Sequence, residues 1–113
     1  MLSQKYRFHS RGGVRYVYQK GETIRSPLVA LIFMPNSRGF QRFSVVVSKK
    51  IFKSAVSRNR IRRRLYEALR LELPDYQVPM DCIFVVHSRS LATMPFRDLQ
   101  DHVHGLLRRT LPD

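Results

Sequence analysis

Leu28–Met34 is an unbroken run of seven apolar residues, and it constrains the fold more than any other stretch of the chain. It falls far short of the ~18 apolar residues of a membrane helix. At this length it reads as a strand buried on both faces. Pro35, Asn36, Ser37, Arg38 and Gly39 follow as a turn. Gln41–Ser48 then reads as the hairpin partner of the first strand. Its side chains alternate: Phe43, Val45 and Val47 point one way, Ser44, Val46 and Ser48 the other. The second face is half polar and is expected to form the wall of a groove.

Helical periodicity appears in three other places. Val14, Val17 and Tyr18 fall at i, i+3, i+4 and Gly21 supplies a stop, which predicts a short helix over about 13–20. A short strand over 22–26 is a candidate next element. Residues 54–73 predict a longer helix, capped by Ser54 and stopped by Pro74. Its apolar stripe is Ile61, Leu65, Ala68 and Leu69. Asp81–Ser88 is a further strong strand. Pro95 suits the first turn of a last helix with Phe96, Leu99, Val103, Leu106 and Leu107 on its apolar side. Arg108 and Arg109 match the negative end of that helix. The expected order αβββαβα makes an α+β two-layer sandwich, with one mixed sheet packed with three helices. A single domain over 1–113 is expected, with residues 1–12 as a flexible basic arm.

Charge narrows the function. Lys and Arg number 21 against 8 Asp and Glu, a formal net charge of +13. A compact domain repels itself at such a charge unless a polyanion neutralises it. Nucleic acid is the expected partner, because bound Lys and Arg release condensed counterions. Sixteen of the cations are Arg, whose planar fork matches phosphate oxygens and stacks on bases. No helix pairs a basic face with a broad bulky apolar one, so a membrane partner is not expected. The N-terminus carries no apolar signal core, and a cytoplasmic location is the expectation.

Nine of the cations lie in residues 49–70, with one acid, Glu67. They are Lys49, Lys50, Lys53, Arg58, Arg60, Arg62, Arg63, Arg64 and Arg70. On a helix turning ~100° per residue, Asn59, Arg63 and Arg70 share one exposed face. Arg60 and Arg64 flank it, and Arg58 and Arg62 lie beside the apolar stripe on the other side. Like charges at i, i+4 repel by roughly a few tenths of a kcal/mol per pair. Ordinary solvated faces mix the two signs. A face of one sign is better read as a surface for phosphates. Asn59 stands between two arginines. Its amide suits a phosphate, a base edge or a water on a hydrated metal ion, and equally an exposed neutral site.

Catalytic chemistry by the protein itself is not indicated. The acids Glu22, Glu67, Glu72, Asp75, Asp81, Asp98, Asp101 and Asp113 are scattered rather than clustered for two metals. His102 and His104 point ~200° apart around a helix, and neither they nor His9 and His87 have metal-ligand spacing. Cys82 is alone in an apolar run and reads as a buried thiol.

The stretch from Phe43 to Arg70 resembles the signature region of the bacterial ribonuclease P protein family. That family has a strand ending in Ser-Lys-Lys, then Lys-x-Ala-Val-x-Arg-Asn-Arg-Ile-Lys-Arg and a Glu. Lys49, Lys50, Lys53, Ala55, Val56, Arg58, Asn59, Arg60, Ile61, Arg63 and Glu67 match in order, and Arg62 replaces the common Lys. The resemblance implies that Lys49, Lys50, Lys53, Arg58, Asn59, Arg60, Arg62, Arg63, Arg64 and Arg70 bind a catalytic RNA. It implies Mg2+ held mainly by that RNA, with Asn59 as an outer-sphere contact. It implies a groove for the single-stranded 5′ leader of precursor tRNA, with Tyr18 as an aromatic wall. Val14 stands where the family has a second aromatic, with Tyr16 nearby as a substitute, and Ser44, Val46 and Ser48 would complete the groove. Tyr66 departs from an Arg usual in the family. The family's sheet also contains a left-handed βαβ crossover, and no obligate protein partner is implied.

Two other readings compete. A ribosomal or other structural RNA-binding protein would carry the same charge but need no groove for single strands. A DNA-binding architectural protein would hold duplex DNA and structured RNA equally well.

Overall fold

The computed structural model describes residues 2–8 and 11–111. The elements run α1 (Arg11–Lys20), β1 (Glu22–Arg25), β2 (Val29–Pro35), β3 (Arg42–Val46), α2 (Ala55–Glu72), β4 (Met80–Val86) and α3 (Phe96–Arg108). Short 3-10 turns lie at Gln4–Tyr6 and Arg89–Ala92. The class and element order are those expected, α+β with one mixed sheet and three helices.

Strand pairing differs from the expectation in one respect. The sheet order is β1-β2-β4-β3. β2 pairs antiparallel with β1 and β4, and β3 pairs parallel with β4. β3 is therefore not the hairpin partner of β2, because β4 lies between them. Burial decides this. β2 and β4 are apolar on both faces, and their Leu31, Ile83 and Phe84 are completely buried. β3 presents Arg42 and Ser44 on one face, which suits an outer position. α2 is the crossover that a parallel β3–β4 pair requires.

The sheet divides the core. Leu31, Phe33, Phe43, Val45, Cys82 and Phe84 face α2 and α3, meeting Ile61, Leu65, Leu69, Leu99 and Val103. The opposite face carries Ile32 and Ile83, covered by Val17 of α1 and by Phe8. The first register pair of β3 and β4, Arg42 and Asp81, is also a partly buried ion pair. Arg42 Nε and Nη2 donate to Asp81 Oδ1 and Oδ2 at 2.9 and 2.8 Å, and Asn36 Nδ2 donates to Oδ1 at 2.8 Å. A bidentate pair fixes geometry as well as contributing energy, so it fastens the parallel register.

Gly21 ends α1 for a different reason from a left-handed cap. A Cβ there would lie 2.7 Å from the Val17 carbonyl oxygen and 2.8 Å from that of Phe33. Only glycine lets α1 turn so closely onto β2.

Residues 2–8 of the arm expected over 1–12 are docked rather than loose, while residues 1, 9 and 10 lie outside the described residues. Leu2 and Phe8 are buried, the Phe8 N–H donates to the Phe43 carbonyl at 3.0 Å, and Arg7 forms a parallel bridge with Phe43. Arg11 and Gly12 already belong to α1. Two apolar residues among the cations, Leu2 and Phe8, carry enough burial to hold the segment on the outer edge of β3.

The remaining titratable groups are local. His102 Nε2 meets Ser26 Oγ at 2.9 Å, and His104 Nδ1 meets Glu72 Oε1 at 2.6 Å, so the two rings serve separate contacts. Cys82 is fully buried, and burial pushes its thiol up to about 12. An unfolded thiol ionises near ~8.5, so the fold loses stability progressively as pH rises from there towards about 12. A thiol reagent at mildly alkaline pH is expected to modify Cys82 only when denaturant unfolds the chain. Rapid labelling of the folded protein would contradict its burial. No helix among the described residues is long and apolar enough to cross a membrane.

Candidate nucleic-acid interface

α2 begins where the sequence predicts. Ser54 is the N-cap, and its Oγ accepts from the Ser57 N–H at 3.3 Å. Arg58 folds back and donates to the Phe52 and Lys53 carbonyls, each at 2.8 Å. It thereby fastens the 48–54 loop, on which Lys49, Lys50 and Lys53 are exposed. Arg64 turns the other way and donates to the carbonyls of Ala92 and Met94. Loss of hydration and then the nearby charge of Arg60 lower its pKa. Arg70 pairs with Glu67 at 2.5 Å, and that hydrogen bond is the main reason the carboxyl sits at about 2. Arg58, Arg64 and Arg70 are therefore engaged within the protein. Arg60 and Arg63 are exposed, with no hydrogen bond or ion pair among the described residues. Arg62 donates to Asn59 Oδ1 at 2.9 Å.

A groove of about 880 Å3 lies between α1 and α2 along β3. α1 contributes Arg11, Val14, Arg15 and Tyr18, at i, i+3, i+4 and i+7. β3 contributes Ser44, Val45 and Val46. α2 contributes Asn59, Arg62, Arg63 and Tyr66, at the same helical spacing. Arg7 completes the lining. Apolar and aromatic surface is thus bordered by guanidinium groups from three segments. Tyr18 is 43% exposed, and burial of the rest raises its pKa.

Four of the six residues expected in a groove are there: Val14, Tyr18, Ser44 and Val46. Tyr16 is not. It lies ~200° around α1 from Val14, beside Asn36 and Arg38 in a separate hollow. Val14 therefore lines the groove without an aromatic substitute. Ser48 stands two residues beyond β3, exposed in the loop. Arg7, Arg11, Arg15 and Tyr66 were missed. The helical spacing of Arg11 and Arg15 with Val14 and Tyr18 was a readable signal. Tyr66 was readable in the same way from its helical spacing with Asn59, Arg62 and Arg63, whereas nothing local pointed to Arg7.

A mixed sheet whose outer strand floors an arginine-bordered groove, beside a helix that exposes Arg60 and Arg63, defines a class of small basic α+β RNA-binding proteins. Comparison with known proteins agrees. The ribonuclease P family model matches residues 2–111. The chain is 37% identical to the ribonuclease P protein component of Chloroflexus aurantiacus, over 96% of this chain and 79% of that one. It is 35% identical to that of Roseiflexus castenholzii, over 96% and 88%. The fold matches the ribonuclease P protein from Thermotoga maritima at a TM-score of 0.83, with 18% identity over 95% and 98% of the two chains. It matches the one from Staphylococcus aureus at 0.78, with 22% identity over 93% and 94%. The chain belongs to the ribonuclease P protein family. Its role is that of the protein subunit of a ribonucleoprotein endoribonuclease in which the RNA carries out catalysis, and the ribonuclease P RNA is its partner. A ribosomal or other structural role is not favoured.

Proposed function

We propose that the single domain divides its work between two adjoining surfaces. Lys49, Lys50, Lys53, Arg60, Arg62 and Arg63 bind the ribonuclease P RNA. The groove receives the single-stranded 5′ leader of precursor tRNA and so promotes endonucleolytic 5′ maturation in the cytoplasm. Arg58 and Arg64 act by holding the loops on either side of α2 in place, and Arg70 contributes little because Glu67 offsets its charge.

The observation that carries this reading is the groove's composition. A partly exposed ring, Tyr18, lines the groove together with apolar Val14 and Val46. Stacking on such a ring contributes about 1–3 kcal/mol per base and tolerates any sequence. The arginines around it meet the sugar–phosphate backbone, which is equally indifferent to sequence. Together they suit a site that accepts many different leaders.

Mg2+ belongs to this reading as an ion held mainly by the RNA. Asn59 fits an outer-sphere role: it is exposed, it borders the groove, and after accepting from Arg62 its Oδ1 keeps a second lone pair for a water of the ion's hydration shell. When bound, the ion would supply charge stabilisation at the scissile phosphate, and Asn59 would orient one of its waters.

Reconstitution tests the reading. Added to a bacterial ribonuclease P RNA at low Mg2+, the protein is expected to raise cleavage of precursor tRNA. Tyr18→Ala in that complex is expected to weaken precursor tRNA binding about tenfold and to leave binding of mature tRNA unchanged. Equal effects on both substrates, or none on either, would remove the leader from the groove.

A further inference from the structure

Tyr66 is buried where helical geometry would expose it. It follows Asn59 by seven residues and lies within ~20° of it around α2. Asn59 is exposed, yet Tyr66 is only 7% accessible. Tyr66 packs into the main core with Phe43 and Val45 of β3, and the N-terminal segment lies against its ring. Arg7 places its guanidinium carbon 5.6 Å from the centre of the Tyr66 ring. The hydrogen bond between Phe8 and Phe43 and the bridge from Arg7 to the same residue fix the backbone that delivers it. Arg7 also lines the groove, while its Nε is buried with no hydrogen-bond partner among the described residues.

This geometry points to a phosphate-binding clasp at one end of the groove, formed by Arg7 held on Tyr66, with Arg62 and Arg63 lining the same groove at its border with the ribonuclease P RNA surface. The clasp rests on the leader-groove reading and extends it. Asn59 and Tyr66 are ~10 Å apart along α2, so the clasp engages a leader phosphate farther along the strand than the nucleotides beside Asn59. A guanidinium stacked on a ring is oriented before the RNA arrives, so less side-chain freedom is lost on binding. The N-terminal segment is thus part of the substrate site, and it sets how much leader the protein can grip.

The test uses the reconstituted complex and precursor tRNAs with leaders of graded length. Arg7→Ala is expected to weaken binding about fivefold with long leaders and not at all with the shortest. It should also reduce the slope of log affinity against log salt by about one. Tyr66→Leu should show the same dependence on leader length, and Tyr66→Phe, which keeps the ring, should match the wild type. If Arg7→Ala does not fold, Arg7→Gln carries the same expectation, with thermal unfolding as the check. A loss independent of leader length, or no loss, overturns the clasp. A Tyr66→Phe loss equal to that of Tyr66→Leu overturns the ring's part in it. Tyr18→Ala is measured in parallel. If it responds to leader length and Arg7→Ala does not, only the clasp fails; if neither responds, the groove reading fails as well.

Discussion

Replacing Arg60 and Arg63 together with alanine is expected to weaken binding to the ribonuclease P RNA about a hundredfold at low salt, with the fold intact. Each is exposed and makes no hydrogen bond or ion pair among the described residues, so its loss removes nothing that supports the helix. A charged hydrogen bond to phosphate contributes about 1.5–3 kcal/mol, so two removed contacts reach about 3 kcal/mol or more. Two fewer phosphate contacts should also lower the salt slope by about two. Filter binding or fluorescence titration across a salt series measures both quantities. Arg70→Ala is the contrast, since Arg70 is already matched by Glu67 and its charge is largely offset. Unchanged affinity of the double variant across the salt series would sink the assignment of this face.

The second large effect is on stability. Phe84 is completely buried in β4, between the helix pair and the middle of the sheet. Phe84→Ala removes the ring and leaves a cavity, at a cost of about 3–5 kcal/mol. Domains of this size have only about 5–15 kcal/mol of stability in all. Thermal unfolding should therefore shift down by roughly 10–20 °C. A shift of only a degree or two would mean that β4 is not the central strand described above.

Much of this architecture was readable from residue patterns because the patterns were strong. Ser54 and Pro74 bracket α2 closely, and the stripe of Ile61, Leu65, Ala68 and Leu69 is buried as periodicity requires. Strand pairing was less readable. Sequence neighbours make a hairpin the default, and only the burial of both faces of β4 explains its insertion between β2 and β3. In the site, the helix spacing placed Val14 and Tyr18 correctly. The basic run did not reveal which arginines are already engaged: Arg58 and Arg64 look like Arg60 and Arg63 until the loops they hold are in place. Arg7 and Tyr66 meet only through the tertiary fold, from opposite ends of a separation that no local rule spans.

The inserted position of β4 has a consequence for biosynthesis. A ribosome releases β2 and β3 well before the strand that joins them. Until residues 80–86 emerge, Leu31, Phe33 and Phe43 lack the neighbours that bury them in the finished protein. Non-local parallel pairing is slow to form, and unpaired apolar edges are prone to aggregation in the interval. The nascent chain's heavy positive charge then works in its favour, since mutual repulsion keeps growing chains apart until the last central strand closes the sheet.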